Sequence, residues 1–248
     1  MTEPNTVTNS GPYPPRGLFI TGTDTNVGKT YICALIAQEL ISADQNIGIY
    51  KPACSGSVID SVGQARWEDV ETLAAAIGTE ISDSLRTQIC PQCFHAPFAP
   101  PVAAALAHQQ VDAKLLRRGL QSWNSHAEFM LVEGVGGLLC PLTEDETIAD
   151  LAKDFQYPLL VVARAGLGTI NQTLLTIEAA QQRELPVAGI ILNRIESTTS
   201  NEILLSNIEQ IAHFSNVPIL SVVDVEQSVY LRSCPKEEKI DWLILAEG

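Results

Sequence analysis

Basic residues are scarce in this 248-residue chain: 15 Lys and Arg stand against 29 Asp and Glu, a formal net charge of −14. That balance opposes nucleic acid or an anionic membrane as partner, because either would repel the protein. No apolar run approaches the length of a bilayer span, and no charged-then-apolar secretion signal opens the chain. A cytoplasmic location is the expectation. Histidines are few (His95, His108, His126, His213) and fall at no ligand spacing. Six cysteines are dispersed as Cys33, Cys54, Cys90, Cys93, Cys140 and Cys234. Only Cys90-Pro-Gln-Cys93 is closely spaced, with no second pair to complete a zinc site. Reduced, mostly buried thiols are expected, the alternative being a metal or redox pair at Cys90 and Cys93.

The rest of the composition is that of a globular protein, 46% hydrophobic and 18% charged. A chain of this length holds one large domain or two small ones and buries roughly 70–75% of its unfolded surface. It is arranged around Gly22-Thr23-Asp24-Thr25-Asn26-Val27-Gly28-Lys29-Thr30. An apolar strand, Leu18-Phe19-Ile20, precedes this stretch, and Ile32, Leu35, Ile36 and Leu40 follow at helical spacing. Strand, glycine-bounded loop and helix opening on Gly-Lys-Thr form a phosphate-binding layout. Backbone N–H groups cradle phosphate oxygens at a helix N-terminus, Lys29 neutralises the outer phosphates and Thr30 offers a hydroxyl to Mg²⁺. Five residues separate the glycines, where the general pattern has four. The bland alternative is ordinary turn and cap chemistry.

Residues 1–16 read as a disordered leader. Strands are expected at Ile47–Tyr50, Phe129–Val132, Leu159–Ala163, Val187–Leu192 and Pro218–Val223, and helices at Trp67–Ile77, Val102–His108, Ala113–Trp123, Ile148–Phe155, Thr169–Glu184 and Asn201–His213. Residues 57–66 read as a loop, and Cys90–Pro101, with four prolines, as a rigid irregular segment. The strands are short, continuous and rich in Val, Ile and Leu, so both faces should be buried. Alternation with helices predicts one α/β domain, a mainly parallel β-sheet with helices on both faces. Its bounds are taken as 17–225, with a tail over 226–248 in which Pro235–Lys239 reads as a solvated turn.

In open parallel sheets ligands sit beyond the carboxyl ends of the strands, where the phosphate loop, Lys51, Glu133 and Asn193 all fall. Lys51 follows a strand and precedes Pro52; it is either a lysine snorkelling at a strand end or a second cation aimed at phosphate. Glu133 is the only charged residue from Phe129 to Leu139, so it needs a cation or a donor, and a Mg²⁺ shared with Thr30 would supply the cation. Glycines after it, Gly134 and Gly136, allow close backbone approach to a ligand. Asp69 is flanked by Glu68 and Glu71, for which a solvated helix face is the default. Gly166-Leu167-Gly168-Thr169-Ile170-Asn171 opens a long helix, either a second anion-receptive terminus or a plain helix start capped by Thr169.

These segments closely resemble the dethiobiotin synthetase family. The likeness is carried by Gly22–Thr30 with its five-residue gap, Tyr50-Lys51-Pro52-Ala53-Cys54-Ser55-Gly56, Val132–Gly137, Leu167–Asn171 and Val187–Asn193, in the family's order. It implies a P-loop NTPase-like fold and a Mg²⁺- and ATP-dependent ligase that closes the ureido ring of dethiobiotin from 7,8-diaminononanoate and CO₂. It further implies Lys51, Lys29 and Thr25 as catalytic residues, and Thr30, Asp69 and Glu133 as metal ligands. Asn26, Val27, Gly28, Lys29, Thr30, Tyr31, Asp69, Glu133, Gly134, Val135, Gly136 and Asn193 would bind ATP, Asn193 recognising adenine. Ser55 would contact the diamine, and Leu167, Gly168, Thr169, Ile170 and Asn171 would hold its carboxylate from the second subunit of a homodimer. The chain departs at Asn26, where many members carry Glu, and at Ser221-Val222-Val223-Asp224, where Gly-x-x-Pro is usual.

Readings of other classes fare worse. A nucleotide-switched ATPase of the Min/ParA type carries a signature lysine early in the loop, where Asp24 stands, and needs a basic amphipathic tail for membranes. A cobyrinate amidase would require a further glutaminase domain. A binding-only relative is opposed by the intact Lys29, Lys51 and Glu133.

Overall fold

The computed structural model describes residues 13–14, 16–195, 200–224 and 239–247. The expected leader over 1–16 lies almost wholly outside these, as do Cys234 and all of the Pro235–Lys239 turn but its last residue. Strands β1 (Gly17–Gly22), β2 (Ile47–Tyr50), β3 (Ala53–Ser55), β4 (Val58–Ile59), β5 (Ala65–Arg66), β6 (Gln92–Phe94), β7 (Phe129–Gly137), β8 (Leu159–Arg164), β9 (Val187–Arg194) and β10 (Ile219–Asp224) are joined by helices. These are α1 (Lys29–Ser42), α2 (Glu68–Ala76), α3 (Asp83–Ile89), α4 (Pro100–Leu106), α5 (Ala113–Gln121), α6 (Ile148–Phe155), α7 (Thr169–Gln181), α8 (Asn201–Phe214) and α9 (Trp242–Leu245).

Six strands form one parallel sheet in the order β10-β9-β8-β1-β7-β2. Every residue of β1 is buried, as are the first five of β8, which is what Val, Ile and Leu on both strand faces require. The chain leaves β1 for the edge strand β2, returns to β7 beside β1, then crosses to β8 on its other side. Strand order therefore reverses at β1, and a crevice opens beyond its carboxyl end. The phosphate loop occupies that position.

Three expectations are corrected. The stretch 57–66 is not all loop, since β4 and β5 pair as a short antiparallel hairpin. Cys90–Pro101 is not irregular throughout: β6 pairs in parallel with β3, and Pro100 and Pro101 begin α4. Proline is tolerated in a first helical turn because its missing N–H would have no partner there, so these prolines start a helix. Helix α3 was unexpected because only Ile89 of its seven residues is buried, leaving no apolar stripe; its signal is the Ser82 cap, which accepts from the Leu85 N–H at 3.2 Å.

The described part of the expected tail packs back on the domain. Trp242 is buried and its indole N–H donates to Glu39 Oε2 of α1 at 2.8 Å. Trp242→Ala should cost about 3 kcal/mol through the cavity and the stranded carboxylate, while Ile244→Ala, 66% exposed, should stay within about 0.5 kcal/mol. Urea unfolding of the two variants checks this, and equal stabilities would contradict the docking.

Candidate functional site

Beyond the end of β1 lies a cavity of about 770 Å³, lined by Thr25, Asn26, Gly28, Lys29, Thr30 and Tyr31 of the loop and helix start. The loop folds as its residue types demand. Gly28 has φ +89°, which favours glycine, and a Cβ there would fall 2.0 Å from the Asn193 side-chain nitrogen. Asn26 also takes a left-handed backbone (φ 57°), which asparagine tolerates. Val27 turns inward and is fully buried, so its side chain anchors the loop rather than facing the cavity. Lys29 curls back over the loop, its ammonium donating to the Asp24 carbonyl at 3.2 Å. Burial lowers its pKa, partly opposed by Glu133 and reinforced by the like charge of Lys51.

Lys51 leaves the end of β2 with its backbone N–H on the Ile89 carbonyl at 2.8 Å. Its ammonium is buried and bonded to Glu133 Oε1 at 2.6 Å and Asp69 Oδ2 at 2.8 Å. Burial alone would push this lysine down, but the two carboxylates outweigh it and hold the pKa well above the ordinary value. Two expectations change here. Glu133 does not wait for a metal to find a cation, because Lys51 supplies one. Asp69 is not part of a solvated trio, since it turns to Lys51 and Thr30 while Glu71 pairs with Arg66. Burial raises the Asp69 pKa, yet the adjoining Lys51 ammonium carries it below the ordinary carboxylate range.

The Thr30 hydroxyl lies 3.0 Å from Asp69 Oδ1 and 2.8 Å from Glu133 Oε1. One hydroxyl proton cannot serve both, and Glu133 Oε2 is buried without a hydrogen-bond partner among the described residues. Three oxygens of a type that suits Mg²⁺ thus converge, one stranded acceptor beside them, which is a donor set a divalent cation fits.

Asn193, at the end of β9, donates its side-chain N–H to the Val27 carbonyl at 3.0 Å, while its Oδ1 has no protein partner among the described residues. Ser55, Val135 and Gly136 line the cavity as expected. Gly134 does not; a Cβ there would meet Ile148 and Phe19 at 3.1 Å, so close packing explains this glycine. Leu167, Gly168, Thr169, Ile170 and Asn171 are not brought to the cavity of their own chain. Gly168, in the left-handed conformation, takes the N-cap position of α7 with no side-chain cap, and Thr169 instead contacts the Thr173 hydroxyl at 3.4 Å. Ser221–Asp224 lies within the edge strand β10, with Asp224 ion-paired to Arg194 at 3.0 Å. Cys54, Glu68, Thr72 and Ile195 line the cavity unforeseen. Thr72 follows Asp69 by three residues on α2, so helical spacing was the signal that could have found it.

Comparison with known proteins follows from this geometry. The model of an AAA domain family matches residues 16–230. The chain is 41% identical over 219 residues to the ATP-dependent dethiobiotin synthetase BioD of Anaeromyxobacter dehalogenans (strain 2CP-C), covering 88% of this chain and 94% of that one. It is 33% identical to the protein of the same name from Bacillus cereus (strain G9842), covering 93% and 92%. Among solved structures the MinC:MinD cell division protein complex of Aquifex aeolicus matches at TM-score 0.51 and 13% identity, over 84% of this chain and 81% of that one, a likeness of fold alone.

Removing Glu133 would leave the buried Lys51 ammonium facing only Asp69, so Glu133→Ala should cost about 3–5 kcal/mol. Asp69→Ala, whose side chain is 46% exposed, should cost about 1 kcal/mol or less. Equal costs in urea unfolding would contradict this ranking. Because Lys51 depresses the Asp69 pKa, that carboxylate stabilises the fold above about pH 4 and its contribution is lost below. Asp69→Asn should therefore lose less stability than the parent between about pH 4 and pH 2.

Proposed function

This chain belongs to the family of ATP-dependent dethiobiotin synthetases, and on that premise we propose how its cavity carries out the reaction. The protein is an ATP-dependent ligase of biotin biosynthesis acting on small molecules. One amine of 7,8-diaminononanoate takes up CO₂ as a carbamate, releasing a proton. A carbamate oxygen bonds to the γ-phosphorus of ATP as the bond to ADP breaks. The second amine attacks the activated carbonyl carbon, the carbon–oxygen bond to phosphate breaks, the amine nitrogen releases a proton, and the ureido ring closes.

The single observation that carries the residue assignment is the convergence of Lys51, Glu133, Asp69 and Thr30 beside the phosphate loop. A carbamate and a triphosphate repel each other, so reaction requires positive charge fixed between them. Lys29 is set to hold the outer phosphates, with Thr25 and the backbone of Asn26, Gly28 and Thr30 around them. Lys51 has a flexible stem, and its ammonium can exchange a carboxylate partner for the carbamate and the transferring phosphoryl group. Thr30, Asp69 and Glu133 would hold Mg²⁺, which when bound neutralises charge on the phosphate oxygens. The free Oδ1 of Asn193 is an acceptor suited to the adenine amino group, and Ser55 faces the diamine.

The carboxylate end of the diamine is assigned to the helix start from Leu167 to Asn171 of a second subunit. The absence of these residues from their own cavity, and Leu167 at 85% exposed, support this homodimer with shared sites. The ligase domain is taken as residues 17–225, and a cytoplasmic location accords with a small-molecule enzyme in which no described helix is long and apolar enough to cross a membrane.

Lys51→Ala should keep ATP affinity within about threefold and lower kcat by at least about a hundredfold, since its task lies in the transition state. Normal turnover in that variant would remove its role. Sharing across subunits has its own test: Lys51→Ala and Asn171→Ala proteins, each inactive, are mixed and allowed to exchange. Random pairing makes half the dimers mixed, each with one intact site, so activity should return to about a quarter of the parent per site. No recovery on demonstrated exchange would contradict the shared site.

A further inference from the structure

Behind the cavity wall lies a cysteine cluster that the ligase reaction does not use. In the parallel pair β3·β6, Cys54 and Cys93 are register partners, and Cys90 stands three residues before Cys93, at the end of α3. Cys54 lines the catalytic cavity. The Cys90 thiol donates to the Gln92 carbonyl at 3.4 Å, and the Cys93 thiol points back to the Cys90 carbonyl at 3.8 Å. The two differ in access: Cys90 is buried, whereas Cys93 is half-buried and reaches the surface. Among the described residues no third His, Cys, Asp or Glu joins Cys90 and Cys93 in a group of metal-ligand type.

We propose that Cys90 and Cys93 are a reversible dithiol–disulfide site, with Cys93 the attacking thiol and Cys90 the resolving one, and a low-molecular-weight disulfide as co-reactant. The Cys93 thiolate bonds to one sulfur of the external disulfide and expels the other half as a thiolate. The Cys90 thiolate then bonds to the Cys93 sulfur and expels the second half. Two protein thiols are oxidised by two electrons, the external disulfide is reduced to two thiols, and protons balance. Surroundings favour this division of labour. The Cys90 contact and the Arg86 guanidinium hold the Cys93 thiol below its ordinary pKa, while burial pushes Cys90 up. Cys-x-x-Cys is also a spacing at which redox pairs form.

The site is mechanically joined to the catalytic lysine. The Lys51 N–H is held by the carbonyl of Ile89, the residue before Cys90, and the Trp67 indole N–H by the carbonyl of Phe94, the residue after Cys93. A bond between the two sulfurs draws on the backbone that carries both contacts.

The test incubates reduced protein with glutathione disulfide at pH 7, quenches with an alkylating agent and maps peptides by mass spectrometry. A disulfide linking Cys90 to Cys93 is expected, reversed by a dithiol reductant. Cys90→Ser should stop at a glutathione adduct on Cys93, and Cys93→Ser should take up neither. Alkylation of reduced protein should be at least about tenfold faster at Cys93 than at buried Cys33 or Cys90. A persistent Cys93 adduct in the parent, a Cys54–Cys93 bond, or an inert Cys93 would each overturn the proposal, and the parent measurement decides even if a serine variant fails to fold.

Discussion

The buried ammonium of Lys51, held between Glu133 and Asp69, is the interaction on which the rest of the site depends. Removing two charges from water is costly, and their attraction offsets this only where geometry is close and the remaining oxygens find partners. Meeting that condition recruits four elements at once. The end of β2 delivers the lysine, the middle of β7 delivers Glu133, α2 brings Asp69, and the first turn of α1 brings Thr30 between the carboxylates. The parallel sheet exists, in functional terms, to bring those ends together at the point where its strand order reverses. On the proposed reading, a polyanion entering the cavity would meet positive charge already placed and partly neutralised, and its binding would exchange partners rather than desolvate bare ions.

Architecture alone does not account for that arrangement. The MinC:MinD complex shares the fold at 13% identity, and fold likeness alone decides nothing about chemistry. In and around the loop this chain carries Asp24 and, paired with Asp69 and Glu133, Lys51, and its formal net charge is −14.

Much of the fold was legible because parallel strands buried on both faces announce themselves as continuous apolar runs. The strands at 47–50 and 159–164 and the helix at 148–155 fell where the residues indicate. The phosphate loop and the strand ends carrying Lys51 and Asn193 were legible for the same reason, whereas Glu133, expected just past a strand over 129–132, lies in the middle of β7, which runs on to Gly137. What was not legible depended on partners distant in sequence. The strand at 92–94 exists because 53–55 lies alongside it, and three residues among prolines carry no period of their own. Glu133 was read as awaiting a metal because no local residue could reveal Lys51, eighty-two positions away, as its partner. Asp69 looked solvated beside Glu68 and Glu71 until α2 packed against the lysine. The helix start at 167–171 matched a family motif, yet one folded chain keeps it from the cavity.

The account stands or falls on whether one cavity couples phosphoryl transfer to ring closure. The direct measurement is phosphate release from ATP in the presence of Mg²⁺ and bicarbonate, with and without 7,8-diaminononanoate, alongside mass detection of dethiobiotin. The account predicts release that depends on the diamine and matches the ring product one for one. Phosphate release that ignores the diamine, or proceeds without dethiobiotin, would contradict it.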